Sequence, residues 1–213
     1  MDEITKKMKI HYSETFEKYG ANVRGVDWGG GEVGDIWKLN LRYEKMLEVI
    51  TDSTKGDISI LDVGCGYGGL YQFALDKGLQ LDYTGIDVCR NMIHYATNHN
   101  QNGVFICEDI LAYDPQKKFD YVICNGILTQ KLGAGIREMD IYARKLIHRM
   151  WDLSNRGIVF NIMKSQVDFM KESLYYKSPL EIMGFCMTLT DKFIVDSAYP
   201  LYEYCVYLYH SAQ

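Results

Sequence analysis

The run Gly64-Cys65-Gly66-Tyr67-Gly68-Gly69 follows directly on the apolar segment Ile58-Ser59-Ile60-Leu61-Asp62-Val63 and leads into a helical pattern. Glycines at a strand-to-helix turn let the backbone approach a ligand that side chains would hold off, and the helix start offers free N–H donors and a positive dipole end. The chemistry of such a loop is binding. The segment satisfies GxGxG and, through Gly64, Gly66 and Gly69, also GxGxxG, so alone it suits a dinucleotide equally well. About twenty residues on, Asp82-Tyr83-Thr84-Gly85-Ile86-Asp87 ends in a carboxylate suited to ribose hydroxyls in either case. Three features separate the readings. Asp62, just before the first glycine, suits a ligand carrying an ammonium group and is a poor neighbour for a pyrophosphate. Glu108-Asp109-Ile110 ends a third strand and places an acceptor on the adenine side. The chain also closes on an antiparallel strand pair foreign to the ordinary dinucleotide fold.

Taken in order, Leu61-Asp62-Val63-Gly64-Cys65-Gly66-Tyr67-Gly68, then Gly85-Ile86-Asp87-Val88 with Met92, then Glu108-Asp109-Ile110, then Phe119-Asp120-Tyr121-Val122-Ile123-Cys124-Asn125-Gly126-Ile127, the chain resembles the class I S-adenosylmethionine-dependent methyltransferases over about residues 56 to 210. The resemblance implies S-adenosyl-L-methionine as cofactor. Gly64, Gly66 and Gly68 would cradle its methionine portion and Asp87 would take the ribose hydroxyls. Asp109 with the backbone of Ile110 would read the adenine edge, and Val88 and Met92 would pack against the ring. Cys65 sits in the same loop as a small space-filler, not a nucleophile, since methyl transfer from a sulfonium needs no covalent enzyme intermediate. Asn125, ending the fourth strand, touches the methionine portion or the substrate, or caps the loop.

In that family N-terminal helices often close over the cofactor, which would bring Tyr12, Tyr19 or Trp28 near the sulfonium; plain packing is the competing role. His11, Tyr12 and Asn125 are the catalytic candidates, although an activated methyl donor needs mainly alignment and exclusion of water. His94, His99, His148 and His210 read as structural or solvated. The fourth strand ends in Asn125-Gly126-Ile127-Leu128, unlike the Asn-Pro-Pro-Tyr type of nucleic-acid enzyme, and no Pro-Cys pair exists. Asn125 and Asn161 stand where metal-assisted O-methyltransferases have acids, so no divalent metal is expected. The expected reaction is transfer of a methyl group to O or N of a small molecule. Residues 1 to 50 and the loop after Asn161, with Asp168, Tyr175 and Tyr176, would cover its pocket. A catalytically silent cofactor-binding or partner-binding module is the alternative, with a nicotinamide oxidoreductase behind it.

The elements that would hold these residues follow from periodicity. Ile4, Met8, Tyr12, Phe16 and Tyr19 line one face of a helix that Gly20 stops. Gly25, Gly29, Gly30, Gly31 and Gly34 around Trp28 mark a mobile loop. A second helix from about Asp35 to Ile50 would bury Ile36, Leu39, Tyr43, Met46, Leu47 and Ile50, and a polar connector, 51–57, follows. Strands near 58–63, 82–87, 104–107, 119–125 and 157–163 then alternate with helices at 69–77, 90–98 and 137–152, a βαβ succession. After a helix near 179–188, the strands at 193–197 and 202–209 are too close for a parallel crossover and pair antiparallel. The expected fold is α/β: a doubly wound, mostly parallel seven-stranded sheet with a C-terminal antiparallel strand pair and an N-terminal helical cap. The division is a cap and lid loop over 1–55 and a Rossmann-like domain over 56–213.

Composition sets outer bounds. With 213 residues, 47% of them apolar and 24% charged, the chain suits one core. A net charge of −5 and a sequence pI near 5.5 disfavour nucleic acid as a partner. The start, Met1-Asp2-Glu3-Ile4-Thr5-Lys6-Lys7, has no signal-peptide character, and no segment approaches the roughly 20 apolar residues of a membrane span. A cytoplasmic monomer or homodimer is expected. The six cysteines lack CxxC spacing and read as buried free thiols.

Overall fold

The computed structural model describes residues 1–28, 36–51 and 58–211; Gly29, Gly30, Gly31 and Gly34 of the expected loop, Asp35, and most of the 51–57 connector lie outside them. Helix α1 (Glu3–Tyr19) starts where the Asp2 carboxylate accepts the Ile4 N–H at 2.9 Å, and ends at Gly20, whose φ of 72° and N–H bond to the Phe16 carbonyl close the last turn. Its buried face carries Ile4, Met8 and Phe16. Helix α2 (Ile36–Leu47) buries Leu39, Tyr43 and Met46, but Ile36, expected on that face, is exposed at the start of the helix among the described residues.

From there the chain alternates as its apolar runs require: β1 (Ile58–Val63), α3 (Gly69–Asp76), β2 (Leu81–Asp87), α4 (Arg90–His99), β3 (Val104–Cys107), β4 (Phe119–Cys124), α5 (Ile136–Leu153), β5 (Ser154–Lys164), β6 (Tyr176–Lys177), α6 (Pro179–Cys186), β7 (Phe193–Asp196) and β8 (Glu203–Tyr209). The sheet order is β3-β2-β1-β4-β5-β8-β7. The first five of these are mutually parallel, whereas β8 runs antiparallel to both β5 and β7. This path has the seven strands expected, and the two-residue β6 adds an eighth beside it by pairing with the end of β5. Strand β5 also begins earlier than expected, with Ser154 following α5 directly.

Period-two alternation assigns each strand residue to one of two cores. Leu61, Val63, Val122, Cys124, Phe160 and Val206 pack on one face with α1, α5 and α6. Ile58, Ile60, Tyr121, Ile123, Val159 and Cys205 pack on the other with α2 and α3. The strand order reverses between β1 and β4, the point at which doubly wound sheets open a crevice at their carboxyl ends. Five of the six cysteines are buried free thiols, and Cys107 is exposed at the end of β3. No helix among the described residues is long and apolar enough to cross a membrane.

Candidate functional site

A cavity opens at the carboxyl ends of β1, β2 and β4, where the chain leaves each strand. The glycine turn forms its floor. Gly64 and Gly66 adopt φ of 75° and 56°, a region open to glycine at little cost. A Cβ on Gly66 would project between Val26 and Met92, 3.5 Å from a Val26 methyl carbon and 3.7 Å from the Met92 sulfur, into space the cavity occupies. The turn is tied to the next strand: the N–H groups of Gly64 and Cys65 donate to the Ile86 carbonyl, and Gly66 N–H donates to Asp87 Oδ2 at 2.9 Å.

Asp87 ends β2 beside this turn. Its other oxygen accepts the Cys89 N–H at 2.8 Å, so the carboxylate is oriented by backbone and keeps lone pairs for a ligand. Burial raises its pKa against the lowering effect of those two N–H donors. Asp62 is 2% exposed and accepts the Tyr83 hydroxyl at 2.5 Å. Burial, against that hydrogen bond and with the added repulsion of Asp87, lifts its pKa to about 7. Asp109 is buried where the chain leaves β3; its Oδ1 accepts the Leu111 N–H at 3.0 Å, while its neighbour Glu108 is exposed.

Cys65, Val88, Met92, Ile110 and Asn125 line the same cavity, with Asp62, Gly64, Gly66, Asp87 and Asp109. Tyr12 from α1 and Trp28 from the following loop reach it as well; burial pushes the Tyr12 phenol well above its ordinary pKa, so it stays protonated at neutral pH. Three expected contributors lie outside this lining. Gly68 caps α3 with φ of 85° and lies outside the lining, and a Cβ there would meet Asn100 and Phe105 instead. Tyr19 is away from the cavity, with Arg24 over its ring. The segment after Asn161 does not cover the cavity: Asp168 is exposed, and the buried Tyr175 donates to Asp140 of α5 at 2.6 Å.

His11 also stands outside the lining, on the turn of α1 that carries Tyr12. Its Nε2 is 2.9 Å from Asp27 Oδ2, which accepts Gln130 Nε2 at 3.2 Å. The Gln130 side-chain oxygen is buried without a partner among the described residues. Asp27 and Gln130 escaped the sequence reading, as did Arg42 and Glu203. The only advance signal was an acid, Glu203, inside the otherwise apolar run 201–209. Asn161 Nδ2 donates to Asn125 Oδ1 at 3.2 Å and to Glu203 Oε1 at 2.9 Å, and its Oδ1 accepts the Gly126 N–H at 2.8 Å.

The cavity suits an adenosyl amino acid: a side-chain-free floor, a carboxylate held by backbone at one end, a buried acid beside the turn, and an apolar wall. Residues 60–142 match the family model described as a methyltransferase domain. A protein of Mycobacterium tuberculosis, named as a candidate methyltransferase, is 31% identical over 154 residues, covering 70% of this chain and 90% of that protein. The malonyl-[acyl-carrier protein] O-methyltransferase of Acetivibrio thermocellus is 38% identical over 82 residues, 38% of this chain and 29% of that enzyme. The crystal structure of magnesium protoporphyrin IX methyltransferase from Synechocystis PCC 6803 with bound cofactor shares the fold, with a TM-score of 0.70 at 16% identity over 99% of each chain. With cavity, motifs and relatives in agreement, the chain belongs to the class I S-adenosylmethionine-dependent methyltransferases.

Proposed function

We propose that the chain methylates oxygen or nitrogen of a small molecule, and that the cavity at the β1/β4 switch point holds the donor. When bound, S-adenosylmethionine supplies a methyl group on a positively charged sulfur. Asp87 would accept the ribose hydroxyls, and Asp109 with the Ile110 backbone would meet the adenine edge. Asp62 would face the ammonium group, with Gly64 and Gly66 beneath the methionine portion. Val88 and Met92 supply apolar contact, and the aromatic wall of Tyr12 and Trp28 suits a cation at about 0.5 to 2 kcal/mol per ring face. The observation that carries this reading is Asp87, which is half-buried, fixed by two backbone donors and part of the lining of a cavity whose floor is a turn with glycines at positive φ.

On the acceptor side, His11 is the candidate proton acceptor. An ionised Asp27, 2.9 Å from Nε2, would hold the imidazole proton there and leave Nδ1 for the proton that an attacking hydroxyl or amine loses. The small size of the acceptor is supported by the partial enclosure of the cavity under α1 and the loop carrying Val26 and Trp28. Incubation of the protein with methyl-labelled S-adenosylmethionine and a cell extract, followed by fractionation, tests this. Label in the low-mass metabolite fraction is expected; label confined to protein or RNA would overturn the substrate class.

A further inference from the structure

Glu203 opens β8 and is 1% exposed. It shares strand parity with Cys205 and Tyr207, so it points to the α2 face of the sheet. There it meets Arg42: the guanidinium Nε lies 3.0 and 2.9 Å from the two carboxylate oxygens, and Nη2 is 2.8 Å from Oε2. The same guanidinium covers the ring of Trp28, with its central carbon 3.9 Å from the centroid. Trp28 lines the cofactor cavity, and its edge presses on Gly126, where a Cβ would come within 2.6 Å of Trp28 Cζ2. Through Asn161, Glu203 also steadies Asn125 and Gly126, which line the cavity too.

A guanidinium against a cavity-lining ring is the wrong charge for a site that must hold a sulfonium. Like charges in a wall of low dielectric repel over several ångströms. Resting on the methyltransferase reading, we propose that Glu203 is a positioning residue that sets the charge of the donor site. By cancelling Arg42 behind Trp28, it removes a repulsion that the cationic donor's sulfur would feel and the neutral thioether left after methyl transfer would not. A purely structural latch between α2 and β8 would affect both ligands alike, whereas charge cancellation affects only the cation.

The test is calorimetric titration of the full chain with S-adenosylmethionine and, separately, with S-adenosylhomocysteine. Glu203→Gln keeps the shape and one acceptor oxygen, replaces the other acceptor by a donor, and leaves Arg42 without its countercharge. The donor's Kd is expected to rise at least tenfold more than that of the thioether. Adding Arg42→Gln to Glu203→Gln removes both charges and is expected to return the ratio of the two Kd values to within threefold of wild type. Should Glu203→Gln alone not fold, that double variant still decides, because a neutral wall must retain the wild-type ratio. Parallel weakening of both ligands, or a double variant with a shifted ratio, overturns this inference alone. A wild-type chain that binds neither ligand overturns the function as well.

Discussion

Burial lifts the Asp62 carboxyl to about 7, far above its value in an unfolded chain. The folded form therefore holds a proton that the unfolded form releases from about pH 4 upward. Stability from this group is complete below about pH 4 and falls as pH rises towards 7, by an amount on the order of 2–4 kcal/mol. Asp62→Asn removes this dependence and keeps an acceptor for Tyr83. Relative to wild type, the variant gains stability between pH 5 and 8, read as a rising difference in urea midpoint. An ammonium group placed beside Asp62 would favour its ionised form, so cofactor binding near pH 7 releases a fraction of a proton. Titration in two buffers of different ionisation enthalpy measures it, and Asp62→Asn is expected to abolish it. The sequence made Asp62, Asp87 and Asp109 legible because each sits at a strand end next to a recognisable turn. It did not separate Gly68 from Gly64 and Gly66, since consecutive glycines do not reveal which of them lines the cavity and which faces Asn100 and Phe105.

Among the elements, the turn after β4 packs closely against the cavity wall. Gly126 has φ of 99° and abuts Trp28. Gly126→Ala adds strain at a positive φ and a clash with the indole, and is expected to cost about 1–3 kcal/mol of stability. It should also weaken donor binding by displacing Trp28, which equilibrium denaturation and a cofactor titration would register separately. Most elements were legible because apolar runs of strand length alternate with amphipathic stretches. The exceptions have local causes. Strand β6 has only Tyr176 and Lys177, too few residues to show alternation. Strand β5 starts on the heels of Leu153, so no turn residue marks the boundary. Ile36 fits the helical stripe of α2 but is exposed among the described residues, and periodicity reports a face without reporting where the opposing surface ends.

Across the chain as a whole, the functional cavity draws on parts that only the fold brings together. Arg42 and Glu203 are 161 positions apart, and Asp27 joins His11 to Gln130 across three different segments. Motifs report ligand-facing turns, which are local; they do not report such pairings, which depend on sheet order. In the proposed site the donor would lie where β1, β2 and β4 end, joining the halves of the sheet, so its binding would stabilise the folded chain globally. At a free concentration of about 100 times Kd, stabilisation is about 2.7 kcal/mol, or roughly 5–10 °C in Tm for a chain of this size. Thermal unfolding with and without S-adenosylmethionine checks this, and an unmoved Tm at saturation would count against a site at the sheet's centre.

The assignment of the donor to the crevice beside Asp87 is tested most directly by titrating wild type and Asp87→Ala with S-adenosylmethionine. The variant loses the hydrogen bonds of a charged acceptor, and the orientation of Gly66 N–H with them. It should bind about 1.5 to 3 kcal/mol more weakly, roughly 10- to 150-fold in Kd, while remaining folded. An unchanged Kd in a folded Asp87→Ala protein would contradict this placement of the donor.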